Sequence, residues 1–188
     1  MHKLLTLSVL LFISGCHFGT SDHYTVYVNP DGFSDHQLPI VLDAVNEWQT
    51  KAANAGLSLD VRVENHSCFG GGTDCNWSFS IRGLPREEID YETQTNWLGV
   101  TNAMNLPAQA TYWADVQVSN DLTDDEEFRV MVLHELGHCF SLGHNFTGHQ
   151  TSVMYPGYGP DVAHHITCTD IKAYADLRGT PMGFCSDE

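Results

Sequence analysis

The stretch His134-Glu135-Leu136-Gly137-His138-Cys139-Phe140-Ser141-Leu142-Gly143-His144 decides how the rest of the chain is read. His134 and His138 stand four residues apart, so on a helix both imidazoles share one face about one turn apart, within reach of a single tetrahedral zinc. Glu135 projects about 100° further round the axis. It need not ligate and is placed to hold a metal-bound water as general base. Gly143 is expected to let the chain leave the helix through a left-handed or otherwise strained turn, after which His144 swings back as a third ligand. A purely structural zinc site closes its coordination with four protein ligands and has no use for a glutamate beside it. The pattern points to one catalytic Zn2+ with a coordination position left open.

Working outward, Thr123 and Glu126 form a T-x-x-E capping box for the helix that carries the histidines, and Asp124, Asp125 and Glu127 sit at the positive end of its dipole. Capping accounts for each of these acids. A calcium site would draw on the same residues, but no EF-hand spacing or glycine-containing calcium loop supports one. Upstream, Tyr24 to Val28 is a β-rich run ended by Asn29-Pro30-Asp31-Gly32. Ser34 to about Ala55 places Val41, Val45, Trp48 and Ala52 on one helical stripe, with Ser34 as N-cap and Gly56 as the stop. Leu57, Leu59, Val61 and Val63 alternate as a strand, as do Trp77, Phe79 and Ile81, and later Tyr112, Ala114, Val116 and Val118. Trp97-Leu98-Gly99-Val100 lies between the last two, after a polar stretch from Arg86 to Glu92. Downstream, Thr167 and Asp170 form a second capping box, for a final helix ending near Arg178-Gly179.

The 188 residues carry 42% hydrophobic and 17% charged side chains, which excludes wholesale disorder and suits one domain with its own core. Eight Lys and Arg against 24 Asp and Glu give a net charge of −16, a surface that repels phosphate backbones, so nucleic acid is not an expected partner. Leu4 to Ile13 has the length of a signal-peptide core and is too short for a membrane span. The following Ile13-Ser14-Gly15-Cys16 resembles a bacterial lipobox, which implies cleavage before Cys16 and a lipid on it. The layout expected is a signal peptide over 1–15, a linker over 16–23 and a catalytic domain over 24–188, with an upper lobe to about 144 and a lower lobe beyond. The protein would be exported and lipid-anchored to the bacterial envelope, on the outer membrane in a Gram-negative cell; a plain secreted form is the alternative. Export favours disulfides, and Cys68–Cys75 and Cys168–Cys185 are the preferred pairs among the arrangements open to five cysteines, leaving Cys139 as a buried core thiol. Gly70 to Gly72 lacks the Lys-Ser/Thr of a phosphate loop. His149, His164 and His165 lack paired spacing and read as solvated loop histidines.

His134 to His144 matches H-E-x-x-H-x-x-G-x-x-H in full, and Ser152-Val153-Met154-Tyr155-Pro156-Gly157-Tyr158 looks like the Met-turn that follows that motif in the metzincin clan of zinc proteases. Met-Tyr-Pro-x-Tyr is most similar to the matrixins, the matrix-metalloprotease-like domains. Astacins and serralysins fit less well, because Pro156 stands where their Met-turns place a tyrosine. The chain departs from matrixins at Asn145, where serine is expected. It also lacks histidines between Trp97 and Val118 for a second, structural zinc, and no cysteine-switch segment stands between Cys16 and the first strand. The resemblance implies an α+β fold: a twisted, mainly parallel five-stranded sheet with two long helices, then a small irregular lobe with a final helix. It implies a monomeric endopeptidase acting on protein or peptide substrates, with Glu135 as base, Met154 as a hydrophobic floor, and Tyr155, Pro156 and Tyr158 walling the pocket for the residue after the scissile bond. A zinc-dependent cell-wall peptide amidase and a non-catalytic surface-binding lipoprotein are the rival readings.

Overall fold

Apolar alternation in the strands and one apolar stripe on the first long helix leave a single way to bury both, and the computed structural model shows it. It describes residues 23–64, 79–89, 99–105, 111–147 and 151–187. The strands are β1 (His23–Val28), β2 (Asp60–Glu64), β3 (Phe79–Leu84), β4 (Gly99–Asn105) and β5 (Thr111–Ser119). They form one sheet in the order β2-β1-β3-β5-β4, with β4 antiparallel to β5 and every other pairing parallel. Parallel neighbours need a long crossover, and α1 (Gln37–Asn54) supplies it between β1 and β2. One face of the sheet, carrying Val26, Val28, Phe79, Ile81, Ala114, Val116 and Val118, is buried.

The four apolar positions predicted on α1, Val41, Val45, Trp48 and Ala52, are all buried to within 1% of completely. The helix starts later than Ser34. Ser34 nevertheless caps it: its Oγ accepts from the Gln37 N–H at 3.2 Å, while Gln37 Oε1 accepts from the Ser34 N–H at 3.2 Å. The second strand is also shorter than its alternation suggested. Leu57 and Leu59 are buried ahead of it, but Val63 on this edge strand is 36% exposed.

Helix α2 (Asp125–Cys139) packs on α1 and under β4 and β5. Phe128, Val130, Val132, Leu133, Leu136 and Cys139 bury most of its circumference, so it is a core helix rather than a surface one. Its cap is Asp124 and not Thr123, with the Asp124 carboxylate accepting from the Glu127 N–H at 2.8 Å. A charged acceptor at the positive end of a helix dipole is a stronger cap than the neighbouring hydroxyl. Across the helix pair, Trp48 Nε1 donates to the Leu133 carbonyl at 3.1 Å in the buried interior.

Beyond His144 the described residues are irregular until α3 (Cys168–Arg178), which carries the predicted Thr167/Asp170 capping box and ends on Gly179 in the left-handed conformation, φ 61°. Cys168 and Cys185 are joined by a disulfide, and the tail returns to α1 through a Gly183 N–H to Ala55 carbonyl bond of 2.8 Å. Cys139 is a free, buried thiol, and burial pushes it well above the ordinary thiol range, first by desolvation and then through Glu135 and Asp115. The signal peptide, the linker up to residue 22 with Cys16, and the Cys68–Cys75 pair lie outside the described residues, while His23, expected as the linker's last residue, opens β1. Among the described residues no helix is long and apolar enough to cross a membrane.

Candidate metal centre

The last turn of α2 and the turn after it bring three imidazoles together. His138 Nε2 lies 3.2 Å from His134 Nε2 and 3.2 Å from His144 Nε2, and the three ligand nitrogens lie within 4.8 Å of one another. Nitrogens on a tetrahedral zinc, each about 2.0–2.1 Å from the metal, stand about 3.3 Å apart. His134 Nδ1 is 2.7 Å from the Val153 carbonyl and His138 Nδ1 is 2.8 Å from the Leu142 carbonyl. A carbonyl only accepts, so both Nδ1 atoms carry the proton and both Nε2 atoms present lone pairs to each other. Lone pairs at that distance repel unless a cation lies between them, so the donor set fits zinc. Burial, with His138 alongside, lowers the His134 imidazole to about 4, and burial likewise lowers His138. Both rings are therefore neutral and ready to ligate at neutral pH.

The turn that delivers the third ligand differs from the one expected. Ser141, not Gly143, takes the left-handed conformation, with φ 72°, and Gly143 is neither left-handed nor crowded. The reason lies in where α2 stops. Phe140 caps it, the Ser141 N–H donates to the His138 carbonyl at 2.9 Å, and the Leu142 N–H reaches back to the Gly137 carbonyl at 3.0 Å. This is a Schellman termination with serine at the position usually held by glycine. It also turns the Leu142 carbonyl onto His138 Nδ1. One turn ends the helix and orients a ligand.

Glu135 is 3% exposed and faces the start of β4. A Cβ built on Gly99 would lie 3.0 Å from both Cγ and Oε1 of Glu135 and 2.8 Å from Met131 Sδ, so only glycine there leaves room for the carboxylate. Opposite, Met154 is 2% exposed and its sulfur fills the space over Gly137, where a Cβ would come within 2.2 Å of it. The Met154 carbonyl accepts from the Asn145 N–H at 2.8 Å, tying the residue after the third histidine to this floor.

The segment under the site hangs on a residue the sequence presented only as a helix cap. Asp170, 1% exposed, accepts from Ser152 Oγ at 2.5 Å, from the Val153 N–H at 3.2 Å and from the Thr167 N–H at 2.9 Å. Desolvation lifts its carboxyl above the ordinary range against the pull of those bonds. Asp170 thus holds Val153 by its N–H, and the Ser152 hydroxyl it engages accepts in turn, at 3.1 Å, from the Met154 N–H of the peptide whose carbonyl orients His134. Of the predicted wall, Tyr155 is half-buried, Pro156 is exposed, and Tyr158 stacks on the His164 ring, centroids 5.5 Å apart and planes 12° off parallel. His164 is no solvated loop residue, since Glu126 and the Gly159 carbonyl hold its two ring nitrogens. His165 has a 70% exposed side chain, and His149 lies outside the described residues.

No family model matches the chain, and no curated protein matches its sequence. Its fold is similar to that in the crystal structure of metalloproteinase-II from Bacteroides fragilis, with a TM-score of 0.50 at 13% sequence identity. The match covers 82% of this chain and 52% of that one, so the chain spans about half the length of its structural relative. At that identity the likeness shows a shared fold.

Proposed function

We propose that the protein is a zinc endopeptidase of the metzincin type with a matrixin-like Met-turn, exported and held at the cell envelope by a lipid on Cys16. The observation that carries the catalytic reading is the convergence of His134, His138 and His144 through Nε2, two of them locked in the ligating tautomer, beside a buried glutamate. Zinc held by these three supplies a Lewis acid that polarises the scissile carbonyl and acidifies water. The carboxylate of Glu135 takes the proton of the attacking water and returns it to the leaving amine. Its low exposure and the close approach of Gly99 keep it in one place for both transfers. The edges of Tyr155, Pro156 and Tyr158 bound the pocket for the residue after the scissile bond. The Cys168–Cys185 disulfide supports export, because such bonds persist in oxidising compartments.

Glu135→Gln should leave zinc content unchanged while lowering peptide turnover by at least about 10²-fold, the usual worth of a positioned general base. Cleavage of a diverse peptide library by the wild type, abolished by chelation, is the companion measurement. Turnover retained in the variant, or amide products from cell-wall peptides alone, would sink the endopeptidase reading. Cys16→Ser should abolish lipid labelling and release soluble, active enzyme; a wild-type protein without lipid removes the anchor and leaves the zinc chemistry standing.

A further inference from the structure

His164 stands 2.7 Å through Nδ1 from Glu126 Oε1 in the first turn of α2, and 2.9 Å through Nε2 from the Gly159 carbonyl. A carboxylate and a carbonyl both only accept. A neutral imidazole has one N–H and can satisfy one of them. Both bonds together require the doubly protonated ring. The Tyr158 ring stacked on it favours the same charge.

We infer that His164, as an imidazolium bridging Glu126 and Gly159, is a positioning residue that pins the loop from Tyr155 to Gly159 against the first turn of α2. The groups facing it agree. From α2, Glu126 and Asp124 add negative charge, while Arg129 donates to the His164 backbone carbonyl at 3.0 Å and so steadies the peptide without contesting the ring. Arg129 itself is neutralised by Asp43 and Glu47 of α1, and the Glu47 carboxylate also lies 3.8 Å from His165 Nδ1. From the loop side come the Gly159 carbonyl and Tyr158, whose hydroxyl is raised by desolvation and then by Asp124, Glu126 and Glu127. The bond to Gly159 is the largest of the effects that raise His164 above its ordinary range. Below that raised value the loop is pinned at both ring nitrogens. As pH rises through it, one bond is lost and the wall loosens. The consequence for substrate rests on the endopeptidase reading, in which this loop bounds the pocket after the scissile bond. The clamp itself does not.

The test uses the full chain loaded with zinc and labelled with 15N-histidine. Both His164 ring nitrogens should appear protonated below a titration that lies above the ordinary value of about 6.5. Glu126→Gln, which changes nothing in the loop, should lower that titration toward the ordinary range, the Gly159 bond remaining. It should also cost about tenfold in amide-exchange protection at Val162, whose N–H bonds the Gly159 carbonyl at 3.0 Å; His164→Gln should cost the same. The wild type should lose that protection only above the His164 titration. In peptide cleavage, both variants should raise KM several-fold and leave kcat unchanged, and the wild-type KM should show a pH step that His164→Gln lacks. A His164 that titrates at or below the ordinary value, or protection unchanged in both variants, overturns the clamp. Unchanged KM with lost protection overturns its role in the pocket. If no form cleaves peptides, the endopeptidase reading fails while ring protonation and exchange still decide the clamp.

Discussion

His134 and His164 both reach the same irregular segment through a backbone carbonyl, Val153 for one and Gly159 for the other, yet their surroundings impose opposite charges. At His134 the second ring nitrogen faces another imidazole, the ring is buried, and desolvation holds it neutral. At His164 the second nitrogen faces a carboxylate that is largely open to water, and protonation of the ring is favoured. The difference lies in what surrounds the far nitrogen, a second buried imidazole at one ring and an anionic carboxylate at the other, and not in the carbonyl they share. A histidine's role here is decided by its second partner. The same reasoning separates a metal ligand from a charged strut without appeal to motif.

The sharpest way to break the comparison is to remove the anchor of the segment at the His134 end. Asp170→Ala leaves the buried Ser152 hydroxyl and Val153 N–H, and the half-buried Thr167 N–H, short of an acceptor, with an expected cost of about 3 kcal/mol or more in unfolding free energy and at least about tenfold in zinc affinity. Urea unfolding with and without chelator measures both. A variant that keeps wild-type affinity would show that Val153 does not need Asp170 to orient His134.

The pH response comes next. In chelated protein, His134 accepts a proton in the unfolded chain near 6.5 but in the native state only at about 4. Stability at that group is therefore lost as pH falls from about 6.5 to about 4, by up to about 3 kcal/mol. His138 acts in the same sense. His164 has the opposite sign: its contribution is fully present below the unfolded value and disappears as pH rises through the raised native one. Denaturation midpoints of chelated wild type, His134→Gln and His164→Gln across this range should diverge in opposite directions, and parallel curves would erase the distinction between the two sites.

A smaller effect is expected where floor meets helix. Gly137→Ala drives a methyl into Met154 Sδ, and the repacking should cost about 1–3 kcal/mol and displace the Val153 carbonyl from His134. Thermal melts and zinc titration would report it; an unchanged Tm means the sulfur simply swings aside. Smallest is Ser141→Gly, which relieves a left-handed serine and should stabilise by about 1 kcal/mol without altering zinc affinity. Destabilisation would mean that the serine side chain contributes more than its backbone strain costs.

Much of this was readable before any coordinates. The ligand trio is local in sequence, and the stripe on α1 follows a period that burial enforces, so both the site and its neighbouring helix were legible from Val41, Val45, Trp48, Ala52 and the eleven residues from His134. Caps were legible to within a residue, because Thr123 and Asp124 compete for the same amides and charge decides between them. The misplacement of the left-handed turn at Gly143 has a similar origin: glycine marks conformational freedom, whereas the site of the turn depends on where α2 stops. Asp170 under Ser152 and Val153, Gly99 against Glu135, and Glu126 against His164 join residues far apart in the chain. No period or spacing carries that information, and in Asp170 a local capping role concealed a distant one.

Trp48 and the ligand helix share one further property, which concerns time rather than space. All three ligands, and the Leu142 carbonyl that orients His138, come from eleven consecutive residues, while the orienting carbonyl of His134 waits for Val153 to be seated by Asp170. Winding a helix and closing a ten-residue loop take on the order of a microsecond or less, whereas docking of parallel strands is slow. The nascent chain can therefore grip an ion before its sheet exists, with the Trp48 bond to Leu133 and the Asp170 network arriving afterwards to set the grip. Refolding begun with zinc present should accordingly outrun refolding of the chelated chain; equal rates would mean that the helix forms only once the sheet has closed over it.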